Sequence, residues 1–158
     1  MGFRIGDEVI HCSFGLGMIT QIEEKIINGQ PTKCFVFRTN EMTIWVPTDE
    51  AGQNSLRAPT APDEFIKTIP ILTSPSETLL EDRVLRKNQL TAQLKDGQLA
   101  SICRVVRDLT YYKRNSKLND QEKSILERAT KSLLTEWTFS LGTPHNQAFL
   151  AMENMLQG

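Results

Sequence analysis

The sequence predicts an α+β protein of two domains, a small N-terminal β-barrel over residues 1–58 and an all-helical bundle of about five helices over 62–158. Three observations predict it. Short β-branched runs separated by tight-turn signals crowd the first sixty residues. A stretch rich in Gly, Pro, Asn and Ser, "AGQNSLRAPTAP" at 51–62, then interrupts the pattern. Beyond it the apolar residues recur at steps of three and four, the helical period.

The strands come first. "DEVIHC" alternates, and "GMITQIEEKII" continues as an extended run. Asn28-Gly29 marks a two-residue hairpin, because both central residues of a type I′ turn need φ > 0. "KCFVFRT" and "MTIWVP", separated by Asn40-Glu41, make a second hairpin, and Pro47 ends its strand because it cannot donate to a ladder. Four or five short strands in this span suggest an SH3- or Tudor-like barrel. The glycines of "FGLG" could be read as a phosphate-cradling loop. Such a loop leads from a strand into a helix, however, and here the chain enters another strand with no Lys-Ser/Thr following. Gly15 and Gly17 are bend positions in a curved strand pair.

In the second half, "PDEFIKTI" forms a short helix before Pro70. Ser74, Pro75 and Glu77 occupy N-cap, N1 and N3 positions and open a helix that stops at Gly97. Leu99, Ile102, Val106 and Leu109 form the apolar stripe of the next. Asn119 with Glu122 is a capping box opening a fourth, whose stripe runs Leu126, Ala129, Leu133, Trp137. Thr143-Pro144 starts the last.

Composition argues against several function classes. No apolar run approaches the roughly 18 residues of a membrane span, no secretory pattern is visible at the N-terminus, and a cytoplasmic location is expected. The three cysteines, Cys12, Cys34 and Cys103, lack the second ligand pair of a structural zinc site, so no metal or cofactor is expected. His11 and Cys12 diverge as strand neighbours, as do Glu23 and Glu24. No catalytic residue is assigned, no small-molecule substrate is expected, and the chain reads as a non-enzyme.

Charge is more informative. Residues 1–82 carry 6 Lys/Arg against 12 Asp/Glu, while residues 83–138 carry 12 against 6. An acidic front and a basic rear suggest different partners, the second a polyanion. Arg83, Arg86 and Lys87 fall within one turn, and Lys113 and Arg114 follow two tyrosines, with Lys117, Lys123, Arg128 and Lys131 beyond. Such residues suit nucleic-acid phosphates, although the dipole at a helix C-terminus favours some of them by itself. On "MTIWVP", Trp45 sits between Ile44 and Val46, so one large apolar side chain faces outward. Either it marks an edge that receives another protein's strand, or it packs under the helical domain.

These residues resemble the CarD family of bacterial transcription regulators over nearly the whole chain. "FRIGDEVIHCSFGLGMITQIEEKIINGQ" and "WVP" are similar to the RNA-polymerase-interacting domain shared with transcription-repair coupling factors. "VVRDL" at 105–109, "LNDQEKSIL" at 118–126, Ala129 and Leu133-Leu134 are similar to the family's helical half. The resemblance implies a monomeric activator whose Tudor-like barrel docks on the β1 lobe of the polymerase β subunit by strand addition. It also implies a helical domain that touches promoter DNA at the upstream fork of the bubble and stabilises the open complex. Lys25, Arg38, Trp45 and Pro47 are then the polymerase-binding residues, and Arg83, Arg86, Lys87, Lys113, Arg114 and Lys123 the DNA-binding ones. One departure stands out. The family opens the segment W-x-R-R-Y-R-x-N with a wedge tryptophan, and here "RVLRKNQL" puts Arg83 in its place and Lys87 in place of the tyrosine. A second reading therefore stays open: a polymerase-bound adaptor whose helical domain binds protein rather than DNA.

Overall fold

The computed structural model describes residues 2–157, which divide into two compact units, one up to Pro59 and one from Thr60 onward. In the first, strands β1 (Glu8–His11), β2 (Gly15–Ile27), β3 (Gln30–Arg38), β4 (Thr43–Pro47) and β5 (Leu56–Arg57) form one sheet in the order β4-β3-β2-β1-β5, and every pairing is antiparallel. The expected barrel is corrected here: the sheet is open. Closure would require β5 to pair with β4, but β5 is two residues long and pairs with β1 at Ile10 and His11. A short helix, α1 (Glu50–Asn54), intervenes between β4 and β5, capped by the Asp49 carboxylate on the Gly52 amide. The outer edge of β4 is left unpaired among the described residues.

Local chemistry explains the strand connections. Asn28 and Gly29 both have positive φ, 52° and 77°, as a type I′ turn between β2 and β3 demands. Gly17 is small for a packing reason: a Cβ there would lie 2.6 Å from the Arg38 carbonyl oxygen and from the Phe37 ring. Gly17 thus lets β2 pass close to β3, whereas Gly15 has open space around it and a left-handed φ of 78°. A bulge between Ile19 and Gln21 shifts the register, so that Ile19 and Ile22 both face the core with Phe35, Phe37, Val9, Val46 and Leu56.

The second unit contains five α-helices and one 3-10 turn among the described residues. They are α2 (Pro62–Thr68), the 3-10 turn (Ile69–Thr73), α3 (Arg83–Lys95), α4 (Leu99–Asn115), α5 (Asp120–Leu141) and α6 (His145–Gln157). Helix α4 is central, burying Leu99, Ile102, Cys103, Val105, Val106 and Leu109. Ala129, Leu133 and Trp137 of α5 pack into the same core, and Leu126 is partly buried beside them. Gly142 terminates α5 in the left-handed conformation at φ 66°.

Helix α3 does not begin where local signals place it. The Ser74 hydroxyl donates to the Ile71 carbonyl (2.6 Å) and accepts from Arg107 (2.7 Å), while the Glu77 amide donates to Asp108 (3.0 Å). These tertiary bonds hold residues 74–82 irregular. Asp82 is the real N-cap, its carboxylate accepting from the amides of Val84 and Leu85.

A buried ion pair joins α3 to α5. Arg86 Nε donates to Glu122 Oε2, and the two side chains are only 8% and 2% exposed. Arg86 Nη1 also donates to the carbonyls of Leu80 (3.2 Å) and Glu81 (3.0 Å), and the guanidinium lies over the Tyr112 ring at 5.0 Å. The other Glu122 oxygen accepts from the Asn119 amide (3.0 Å), closing the capping box with Asn119 Oδ1 on the Glu122 amide (2.8 Å). One carboxylate therefore caps α5 and neutralises α3. Removing either partner strands a buried charge, so Glu122→Ala or Arg86→Met should each cost about 3–5 kcal/mol in urea unfolding. The double replacement Arg86→Met/Glu122→Leu should recover much of that loss. Single variants with wild-type midpoints would show that the pair carries no such role.

Candidate functional surfaces

The sheet has two unlike faces. Ile44 and Val46 of β4 point to the core, so Thr43, Trp45 and Pro47 point away from it. Strand register then assembles the outer face. Trp45 lies opposite Val36, Pro47 opposite Cys34, and Thr43 opposite Arg38. Across β3, Cys34 faces Glu23 and Thr32 faces Lys25. All four residues expected to bind polymerase, Lys25, Arg38, Trp45 and Pro47, thus share one face, although they come from three strands.

At its centre the indole is held from two sides. Trp45 Nε1 donates to Glu23 Oε1 at 2.6 Å, and Lys25 Nζ sits 3.4 Å from the ring centroid. A cation over an indole is attracted by the ring quadrupole, and the carboxylate fixes the ring's rotation. The cluster lies beside the unpaired edge of β4, where backbone groups are open to another strand. Glu23 has no role in the sequence reading; its signal is the two-residue spacing that puts it on the face of Lys25. Glu23→Ala should release the indole: the Trp45 Nε1–H NMR signal shifts and its hydrogen exchange quickens. An unchanged signal would mean that the carboxylate does not hold the ring.

The basic residues of the helical unit separate into three places. Arg83 and Lys87 are exposed on α3 and line a depression of about 520 Å³ with Val84, Asn88 and the start of α5. Val84 and Leu85 beside them are 66% and 55% exposed. Lys113 and Lys123 meet in a larger groove of about 760 Å³ between α4, α5 and α6, together with Lys117 and Lys131. Its floor is apolar, made by Leu118, Leu126, Leu134 and Phe149. Arg114 points elsewhere, donating to the Leu156 carbonyl and lying over Tyr111. Arg86 is withdrawn from the expected DNA-binding set: its guanidinium is buried on Glu122 and cannot reach a phosphate.

Other reactive groups stay apart. His11 accepts the Ser13 amide on Nδ1 (3.0 Å), stacks near Phe14 and Phe37, and is held below its ordinary pKa by burial. Burial pushes the Cys103 thiol up to about 12, the behaviour of a packing residue. No cluster of metal-ligating side chains occurs among the described residues, and no helix of the described chain is long and apolar enough to cross a membrane.

Known proteins complete this picture. Residues 3–58 match the CarD-like/TRCF RID domain, and residues 67–153 match the CarD C-terminal domain. The chain is also 30% identical over 151 residues to the protein named "Putative transcription factor YdeB" of Bacillus subtilis (strain 168), covering 92% of this chain and 96% of that one. The chain belongs to the CarD family. Membership makes it a transcription regulator of CarD type with a CarD-like/TRCF interaction domain, and points to an interaction protein rather than an enzyme. In this CarD-family chain, the matched N-terminal region coincides with the open sheet that carries the Trp45 cluster.

Proposed function

We propose that this protein docks on the β subunit of bacterial RNA polymerase, at its β1 lobe, through the outer face and free edge of β4. Its helical unit then contacts promoter DNA near the upstream edge of the bubble and stabilises the open complex. The observation that carries the reading is the convergence of Lys25, Trp45 and Pro47 beside an unpaired strand edge. Added-strand binding takes its affinity from main-chain hydrogen bonds and its specificity from side chains flanking the edge. Trp45, already oriented by Glu23 and Lys25, offers a large contact area with little ordering left to lose. Arg38 adds a cation at the other end of the same face.

On the helical unit, Arg83, Lys87, Lys113 and Lys123 are exposed cations available to phosphates. With Arg83 in place of an aromatic, the exposed apolar surface at the fork comes from Val84 and Leu85, and leucine is a residue type that minor-groove proteins use to unstack base steps. The adaptor reading draws on a different observation. The groove containing Lys113 and Lys123 has a floor of leucines and Phe149, which suits a protein segment better than a phosphate backbone.

One measurement tests the docking that both readings share, and a second decides between them. In calorimetry against an isolated β1 lobe, Trp45→Ala should weaken binding by roughly 2 kcal/mol or more, as central tryptophans do; equal affinity rejects the docking role. In DNA titrations across a salt series, Lys113→Ala and Lys123→Ala should each lower the salt slope by about one. If the slope does not move, those lysines do not touch phosphates and the adaptor reading takes precedence.

A further inference from the structure

A small pocket of about 200 Å³ lies where the 3-10 turn, the irregular segment after it, α4 and the end of α6 meet. Its polar lining is Thr73, Ser74, Ser76, Arg107, Tyr111 and Arg114, and among the described residues no carboxylate lines it. Arg107 is unusual. Its side chain is 9% exposed, Nε donates to Asp108 (2.8 Å) and Nη1 to the Ser74 hydroxyl (2.7 Å). Its Nη2 is buried with no hydrogen-bond partner among the described residues. A buried, charged donor left unmade is strongly unfavourable, and native proteins rarely tolerate one without a ligand or water.

We infer that this pocket binds a phosphate group. Asp108 offsets one guanidinium charge and is itself occupied by Arg107 and the Glu77 amide, so Arg114 leaves a net positive site. The Thr73 and Ser74 hydroxyls already donate to the Pro70 and Ile71 carbonyls, so the donors for phosphate oxygens are the two guanidiniums with the hydroxyls of Ser76 and Tyr111, and arginine is the residue best matched to them. The space accepts a phosphate with a small ester substituent but no nucleoside. The group arrives either as a soluble phosphate or small phosphomonoester, or as a backbone phosphate of a nucleic acid. The inference does not rest on the polymerase or promoter assignments: the pocket shares neither the sheet nor the groove between α4, α5 and α6, and of the residues expected to bind DNA it contains Arg114.

The test is an NMR titration of the full chain with sodium phosphate, against sodium chloride at matched ionic strength. Saturable millimolar shifts should appear at residues 73–77, 107, 111 and 114, and glycerol 3-phosphate should reproduce them. Arg107→Gln should abolish them. Arg107 also ties the 74–77 segment to α4, so Arg114→Gln, at an exposed position, serves as the second variant and should weaken phosphate severalfold with the fold retained. A short DNA duplex that shifts the same resonances, and is displaced by phosphate, would identify the source as a nucleic-acid backbone; a duplex that leaves them unmoved identifies it as a soluble phosphate. Shifts that match chloride, fail to saturate, or persist equally in Arg114→Gln would overturn the assignment.

Discussion

The Arg86–Glu122 pair is the contact on which the arrangement of the helical unit depends. Two charges removed from water are unfavourable unless each finds several partners, and here each does. Arg86 binds a carboxylate and two carbonyls, and Glu122 binds a guanidinium and the amide that closes its own capping box. An apolar pair could match this stability but would not set direction in the same way. Hydrogen bonds fix how α3 lies against the start of α5. That placement decides which residues are left outside: Arg83 one turn before Arg86 and Lys87 immediately after it on α3, and Lys123 immediately after Glu122 on α5. The buried charges position the exposed ones.

The sheet unit works by a different constraint. Because β5 is too short to reach β4, the sheet stays open and one edge of β4 keeps its unpaired backbone. Open edges invite unwanted pairing, and proteins commonly blunt them with charge or proline. Here Pro47 ends the edge strand, and Lys25 and Glu23 fix the orientation of Trp45 beside it. In the proposed docking role, the same features that restrain indiscriminate pairing would make the face selective, with its aromatic residue oriented before any partner arrives.

Much of this was legible in the residues because it rests on local chemistry. The Asn28-Gly29 turn needs only two φ angles, the Asn119–Glu122 box spans one helical turn, and the α4 stripe follows from periodicity. What escaped local reading depends on distant partners. Ser74, Pro75 and Glu77 have the form of a helix start, but Arg107 and Asp108, some thirty residues away, take their polar groups. Arg86 looks like its exposed neighbours until Glu122 is placed against it. Strand patterns likewise do not reveal whether the two ends of a sheet meet. The four residues Lys25, Arg38, Trp45 and Pro47 follow from the family resemblance; that they share a face follows only from the register.

Backbone hydrogen exchange of the full chain, with and without the isolated β1 lobe, tests the central claim most directly. Strand addition predicts strong new protection at Thr43 and Trp45, because their amides lie on the outer edge of β4 and gain partners. Binding that leaves these amides unprotected, or protects only the helical unit, would contradict the account.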